Sequence, residues 1–295
     1  MLNFPSTSTR SVCTRKPTLR RGRGGGFTLI ELLVVISILA LLISLLLPAL
    51  AQARSAASAA RAQGNIRQVQ MGHINYTFDH RDQLIPGYRS ADPPHWSGIA
   101  RDQAGKRLRP PIGDRWTWRL AKYFNWDWEL VYCDREVPSD NYRKSVFPRF
   151  GLNAYFVGGS KDGVAFVYDD RGNDIGRGKY GPFYLRTMSD SQRPDRQLVF
   201  ADSVYTESGR TLDVHADEGF HQIEPPNFAE RLWDLEKPTT KRSAADVGFV
   251  AERWRGRSTV TFLDGHVESL TLEELDDMRL WAPLARSKDW LLTDR

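Results

Sequence analysis

The chain has two cysteines in 295 residues, Cys13 and Cys133. Two thiols exclude a cysteine zinc site. Cys13 lies in a basic leader that reads as removable, which would leave Cys133 without an intrachain disulfide partner and as a small buried hydrophobe. Acidic residues are absent from residues 1–26, which carry Arg10, Arg15, Lys16, Arg20, Arg21 and Arg23. Without those six, 35 basic residues face 36 acidic ones, so the net charge of +5 becomes −1. The basic balance therefore belongs to the leader, and no nucleic-acid partner is expected for the rest. There is no Gly-x-Ser-x-Gly elbow, no Walker loop and no dinucleotide glycine pattern. The glycine-rich run Gly22–Gly26 follows no strand and reads as a flexible stretch giving a protease access. The chain reads as a non-enzyme.

What is present is a long apolar run, FTLIELLVVISILALLISLLLPAL, over residues 27–50, with Glu31 its single charge. As a helix rising about 1.5 Å per residue it reaches roughly 36 Å, enough to cross a ~30 Å hydrocarbon layer. Basic residues precede it and none lies within it. This pattern keeps the leader cytoplasmic and sends the C-terminal body across the inner membrane. A carboxylate in such a span costs about 2.5–3.5 kcal/mol on insertion scales and marks function. Cutting the bond before Phe27 would create an amine one helical turn from Glu31, and pairing lowers the burial cost of both charges. Two other readings use the same residues. Ala51-Gln52-Ala53 forms a signal-peptidase site before Arg54, and the run can also serve as an anchor that is never cut. The first has an apolar stretch longer than signal peptides use, and neither explains Glu31.

The string Gly26-Phe27-Thr28-Leu29-Ile30-Glu31-Leu32-Leu33-Val34-Val35-Ile36 resembles the N-terminal signal of type IV pilins and type II secretion pseudopilins. The resemblance implies that a prepilin peptidase cuts between Gly26 and Phe27 and methylates the Phe27 amine. It also implies that Glu31 serves peptidase recognition and assembly with other pilin-like subunits. Pro48 matches a proline common in that helix and predicts a kink, since it lacks an N–H donor.

Residues 49–79 continue the helical pattern, rich in Ala, Gln and Arg, with Ile66, Val69, Ile74 and Phe78 as an apolar stripe. A break near Pro48 or Gly64 is the alternative. Residues 84–115 read as a surface loop and Asp114–Trp128 as a helix. Glu129–Cys133, Phe150–Val157, Val164–Tyr168, Phe183–Arg186 and Leu198–Ala201 read as strands. Asp264-Gly265 between Ser258–Leu263 and His266–Leu270 predicts a two-residue type I′ hairpin with Val260, Phe262 and Val267 on one face. Thr271-Leu272-Glu273-Glu274 predicts a capping box opening a helix to Trp281. Phe150-Gly151-Leu152-Asn153, Ala201-Asp202-Ser203 and Phe262-Leu263-Asp264-Gly265-His266-Val267 resemble motifs of a large pseudopilin-like bacterial family. Many of its members have a His shortly ahead of the Asp-Gly pair; here the position is Trp254, so no role of that His is carried over.

His215-x-Asp217-x-x-x-His221 has a metal-like spacing without a third ligand, and a surface loop is the plainer reading. Asp169–Asp174 lacks the ligand alternation of a calcium loop. No cofactor is expected; calcium is the one candidate, with Asp202 and Asp264 the first residues to examine. Trp116, Trp118, Trp126 and Trp128 read as core, and His266 as a surface residue. The predicted fold is α+β, a long N-terminal helix packed on a C-terminal antiparallel sheet. Residues 1–26 form the leader, 27–80 the helix with 27–50 in the membrane, and 81–295 the exported domain. The predicted function is a pseudopilin-like structural subunit of a secretion or pilus-type assembly. The alternative is an exported binding protein or enzyme using the segment only as signal or anchor.

Overall fold

The computed structural model describes residues 28–88, 100–133, 135–160, 179–207, 210–214 and 218–292. The leader, Gly26, Phe27, Val164–Tyr168, Asp169–Asp174, His215 and Asp217 lie outside them. The chain divides into two compact units, Met1–Ala51 and Gln52–Arg295. One helix, α1 (Leu29–Asp79), contributes to both and continues through Pro48 and Gly64.

In the first unit α1 is apolar all round and exposed all round, from Leu29 to Leu50. The helix is long and apolar enough to cross a membrane. Its two serines turn back on their own helix: Ser37 Oγ donates to the Val34 carbonyl at 2.8 Å and Ser44 Oγ to the Leu41 carbonyl at 2.7 Å. Such bonds satisfy hydroxyls where no water is at hand.

In the second unit the helix buries one stripe: Ala62, Ile66, Val69, Gln70, His73, Tyr76 and Thr77. The predicted stripe is only half right. Ile66 and Val69 are buried, Ile74 is half-buried, and Phe78 is 79% exposed. Gln70 and His73 take inward positions because each finds a backbone partner. Gln70 Nε2 donates to the Phe262 carbonyl at 2.9 Å, and the Ile85 N–H donates to His73 Nε2 at 3.3 Å.

The sheet is antiparallel, ordered β1 (Phe150–Leu152), β2 (Leu198–Asp202), β5 (Ser258–Phe262), β6 (Val267–Leu270). Two short strands, β3 (Asn227–Phe228) and β4 (Glu230–Arg231), pair separately. The three strands β1, β2 and β5 are buried throughout, so both faces are covered. One face meets α1 through a cluster holding Ile66, Val69, Trp116, Phe150 and Phe200; the other packs Phe228, Trp233, Val260, Phe262 and Trp281. A register shift between Leu198 and Phe200 lets Val199 and Phe200 both join the helix-side cluster. A bulge of this kind breaks strict alternation.

Several expected elements differ. Ser258–Leu270 does form a hairpin, but not around a two-residue loop. Gly265 has φ +96°, while Asp264 does not enter positive φ as a type I′ turn requires. The Gly265 N–H bonds the Phe262 carbonyl and the Phe262 N–H bonds the His266 carbonyl, enclosing a three-residue loop. The extra residue sets Val267 opposite Thr261, on the helix side and away from Val260 and Phe262. A tight turn with positive φ at both central residues does occur earlier, at Arg255 (55°) and Gly256 (71°), closed by reciprocal Trp254–Arg257 backbone bonds at 3.1 Å.

Glu129–Cys133 is not a strand. Asp127 caps the Glu129 N–H and starts a helix, α3 (Trp128–Tyr132). The predicted helix over Asp114–Trp128 is α2 (Trp116–Leu120) flanked by 3-10 turns, ended by left-handed Asn125 and Trp126. α4 (Asn141–Val146) begins at an Asp140 cap. Strand pairing from Phe150 stops at Leu152, where Asn153 turns its amide to the Leu198 and Trp281 carbonyls at 3.0 and 3.1 Å. Phe183–Arg186 makes only an isolated bridge, Leu185 to Val157. Residues 84–115 are not all surface: Leu84, Ile85, Leu108 and Asp114 are buried, with the Leu84 N–H bonded to the Arg186 carbonyl. The Thr271–Glu274 capping box is present, but the helix it opens is α5 (Leu272–Leu275), and Asp277 caps a second, α6 (Met278–Trp281). Cys133 is half-buried, its sulfur 3.4 Å from the Asn65 amide.

Candidate functional site

The site residues predicted at the cut, Gly26 and Phe27, lie outside the described residues; Glu31 lies within them, in the first turn of α1. Thr28-x-x-Glu31 forms a reciprocal cap. The Thr28 N–H and hydroxyl both donate to Glu31 Oε2 at 2.8 Å, and the Glu31 N–H donates to Thr28 Oγ1 at 3.2 Å. Two otherwise orphaned helix donors are satisfied, which the helix end needs. Glu31 therefore has a local role in a single chain, beside the charge pairing inferred from its position. Among the described residues only Oε2 of that carboxylate is engaged; Oε1 remains available to an incoming cation. Thr28 was not singled out in the sequence, although the capping-box spacing was there to be read.

In the second unit the three body motifs converge on the sheet. Asp202, wholly buried at the end of β2, accepts the Thr259 N–H at 2.9 Å and the Trp254 indole N–H at 3.0 Å. Arg149 Nε stands 3.6 Å from Asp202 Oδ1, and its guanidinium lies 5.4 Å from the Trp254 ring centre. Arg253, also buried, donates to the Ser203 carbonyl at 2.5 Å. Burial, then the neighbouring Arg149, pushes its guanidinium down to about 9. The Ser203 hydroxyl bridges the chain by donating to the Phe220 carbonyl at 2.7 Å and accepting the Phe220 N–H at 2.9 Å. These bonds tie β2 to β5 and to the segments before β1, β3 and β5. Asp202 faces guanidiniums and N–H donors, a set that suits a carboxylate holding a sheet together better than one holding calcium. Trp254 supplies a donor only and can carry neither proton transfer nor metal ligation. Arg149 and Arg253 were not found from the sequence, because arginines scattered over a hundred residues carry no spacing signal.

Asp264 Oδ1 accepts the His266 N–H at 3.1 Å and lies 2.6 Å from its Nδ1, while the imidazole stacks on Phe262 at 4.3 Å. His266 is thus a partly exposed turn residue. His221 and His73 are buried, and burial pushes both down to about 3, with Arg115 adding to the shift at His221. Both are neutral at physiological pH. Among the described residues no group of three His, Cys, Asp or Glu is placed to hold a metal. Trp116 and Trp118 are buried in the core, and Trp126 and Trp128 pack partly buried against it.

Residues 21–47 match the family model described as the prokaryotic N-terminal methylation motif. No curated protein and no solved structure matches the chain. The matched segment spans the leader's end, the Gly26–Phe27 bond, Glu31 and most of the apolar run. The match is consistent with a prepilin-like or pseudopilin protein, and a motif of this type implies processing by a prepilin peptidase and pilin-like assembly. Together with the apolar helix it indicates a membrane-anchored, single-pass protein.

Proposed function

We propose that the protein is a pseudopilin-like structural subunit of a type II secretion or type IV pilus-type assembly, working without a catalytic site or cofactor. A prepilin peptidase cuts between Gly26 and Phe27 and methylates the Phe27 amine. The leader stays cytoplasmic, the apolar helix holds the subunit in the inner membrane, and the body lies on the far side. Glu31 then pairs with the new amine of its own or a neighbouring subunit. The supporting observation is Glu31 itself, one carboxylate in a span otherwise without charge, inside the matched methylation motif. Mass spectrometry of the mature N-terminus tests the processing: methylated Phe27 is expected, whereas Arg54 or Met1 would establish a signal peptide or an uncut anchor. Glu31→Ala is expected to abolish incorporation into assemblies while the body still folds and is exported. Normal incorporation of that variant would remove Glu31 from the proposal.

A further inference from the structure

A second feature of α1 concerns the region just past the apolar run. Between Glu31 and Asp79 the helix carries no acidic residue, and its only charges are Arg54, Arg61 and Arg67. The body adds a fourth at the same level. Arg255, at the tip of the tight Trp254–Arg257 turn, donates from Nη2 to the Gln52 carbonyl at 3.4 Å, two residues past Leu50. Arg255 is exposed and holds a left-handed backbone, φ +55°, which is unfavourable for a residue with a β-carbon. Gly256 beside it faces open space. The turn spends backbone strain to set a cation beside Gln52, where glycine or asparagine would sit more easily.

We propose that Arg255 and Arg54 form a docking surface for anionic lipid headgroups. The proposal rests on the reading that residues 29–50 span a membrane. Distance along the helix ranks the arginines. At about 1.5 Å per residue, Arg54 lies roughly 6 Å and Arg61 roughly 16 Å beyond Leu50, and Arg67 about 25 Å. The headgroup layer is about 5–8 Å deep and charges act over about a further 8–10 Å at physiological salt. Arg54 and the Arg255 turn fall within the layer, Arg61 at the edge of its field, and Arg67 outside it. Each basic group near an anionic surface strengthens contact roughly fivefold.

The test uses the full chain in nanodiscs of phosphatidylcholine, with or without phosphatidylglycerol. Hydrogen exchange is followed at the backbone amides of residues 254–257. Exchange roughly fivefold slower in the anionic discs is expected, lost at high salt, and lost in Arg255→Gly. That variant relieves the left-handed strain, so the fold is retained and the loss reports charge. Arg255→Lys restores the difference, Arg54→Gln weakens it, and Arg67→Gln leaves it unchanged. Equal exchange in the two lipids overturns the proposal. So does equal protection by inorganic phosphate in phosphatidylcholine discs, which would mean an anion site without lipid. Failure of the chain to enter the discs overturns the membrane reading and this one with it.

Discussion

The two stretches of α1 solve opposite problems with the same backbone. From Leu29 to Leu50 every face is apolar and exposed, and Gly, Asp, Lys and Arg are missing; from Gln52 to Asp79 one stripe is buried and arginine, asparagine and glutamine occupy the outside. Among the described residues nothing covers the first stretch, so its sequence answers to lipid or to other copies. The second answers to the sheet beneath it, and there even polar residues are drawn inward when a carbonyl or amide waits for them, as at Gln70 and His73.

The sharpest way to break this contrast is a matched pair of truncations. Ile66→Ala, wholly buried, should lower the stability of the body by about 2–5 kcal/mol in detergent. Leu39→Ala, exposed, should change it by less than about 0.5 kcal/mol. Equal shifts in the denaturation midpoint would mean that the first stretch is packed within the chain after all. Acid supplies the next largest effect. His73 and His221 have folded values of about 3 against 6.5 when unfolded, so the unfolded chain takes up more protons as pH falls. Their stabilisation is complete above 6.5 and is lost on going down towards 3. Between pH 7 and pH 5 each should cost roughly 2 kcal/mol. A denaturation series showing no loss of stability over that interval would contradict the neutral burial of both rings.

A smaller effect is expected where the hairpin turn meets the helix. Gly265→Ala forces a β-carbon onto φ +96° and to within 3.4 Å of Ile74 Cδ1, and should cost about 1 kcal/mol. Thr28→Val is the smallest. It removes the hydroxyl half of the Glu31 cap and should reduce helix-end protection by about 0.5–1 kcal/mol, read by amide exchange at the first turn. The body's melting temperature should not move. A shift there would show that the two stretches are coupled in a way the contrast does not allow.

Residues legible in the sequence were those whose meaning is local. The apolar run, the Thr271–Glu274 box and the Asp264-Gly265 reversal all depend on neighbours within a few positions, and each was found. Even so, the hairpin loop was misjudged by one residue, because Leu263 is buried and reads as strand while serving as loop. Glu129–Cys133 reads as strand by composition, yet Trp128–Tyr132 is helical because Asp127 caps it. The Arg149–Asp202–Trp254 group could not be read at all, since its members come from residues more than fifty positions apart. At the predicted site, Glu31 is legible as a charge in the wrong solvent, and its bond to Thr28 follows a capping-box spacing that the sequence also carries.

Ser37 and Ser44 carry a final consequence. Both hydroxyls are already committed to carbonyls of their own helix, and Pro48 has no donor to offer. A neighbouring copy meeting this span therefore finds hydrocarbon everywhere except at one carboxylate near its start. Hydrocarbon packing tolerates sliding and rotation; a single ion pair does not. In a bundle of such helices the register along the axis would be written at one end only, and the rest of the span would be free to adapt to neighbours of different sequence.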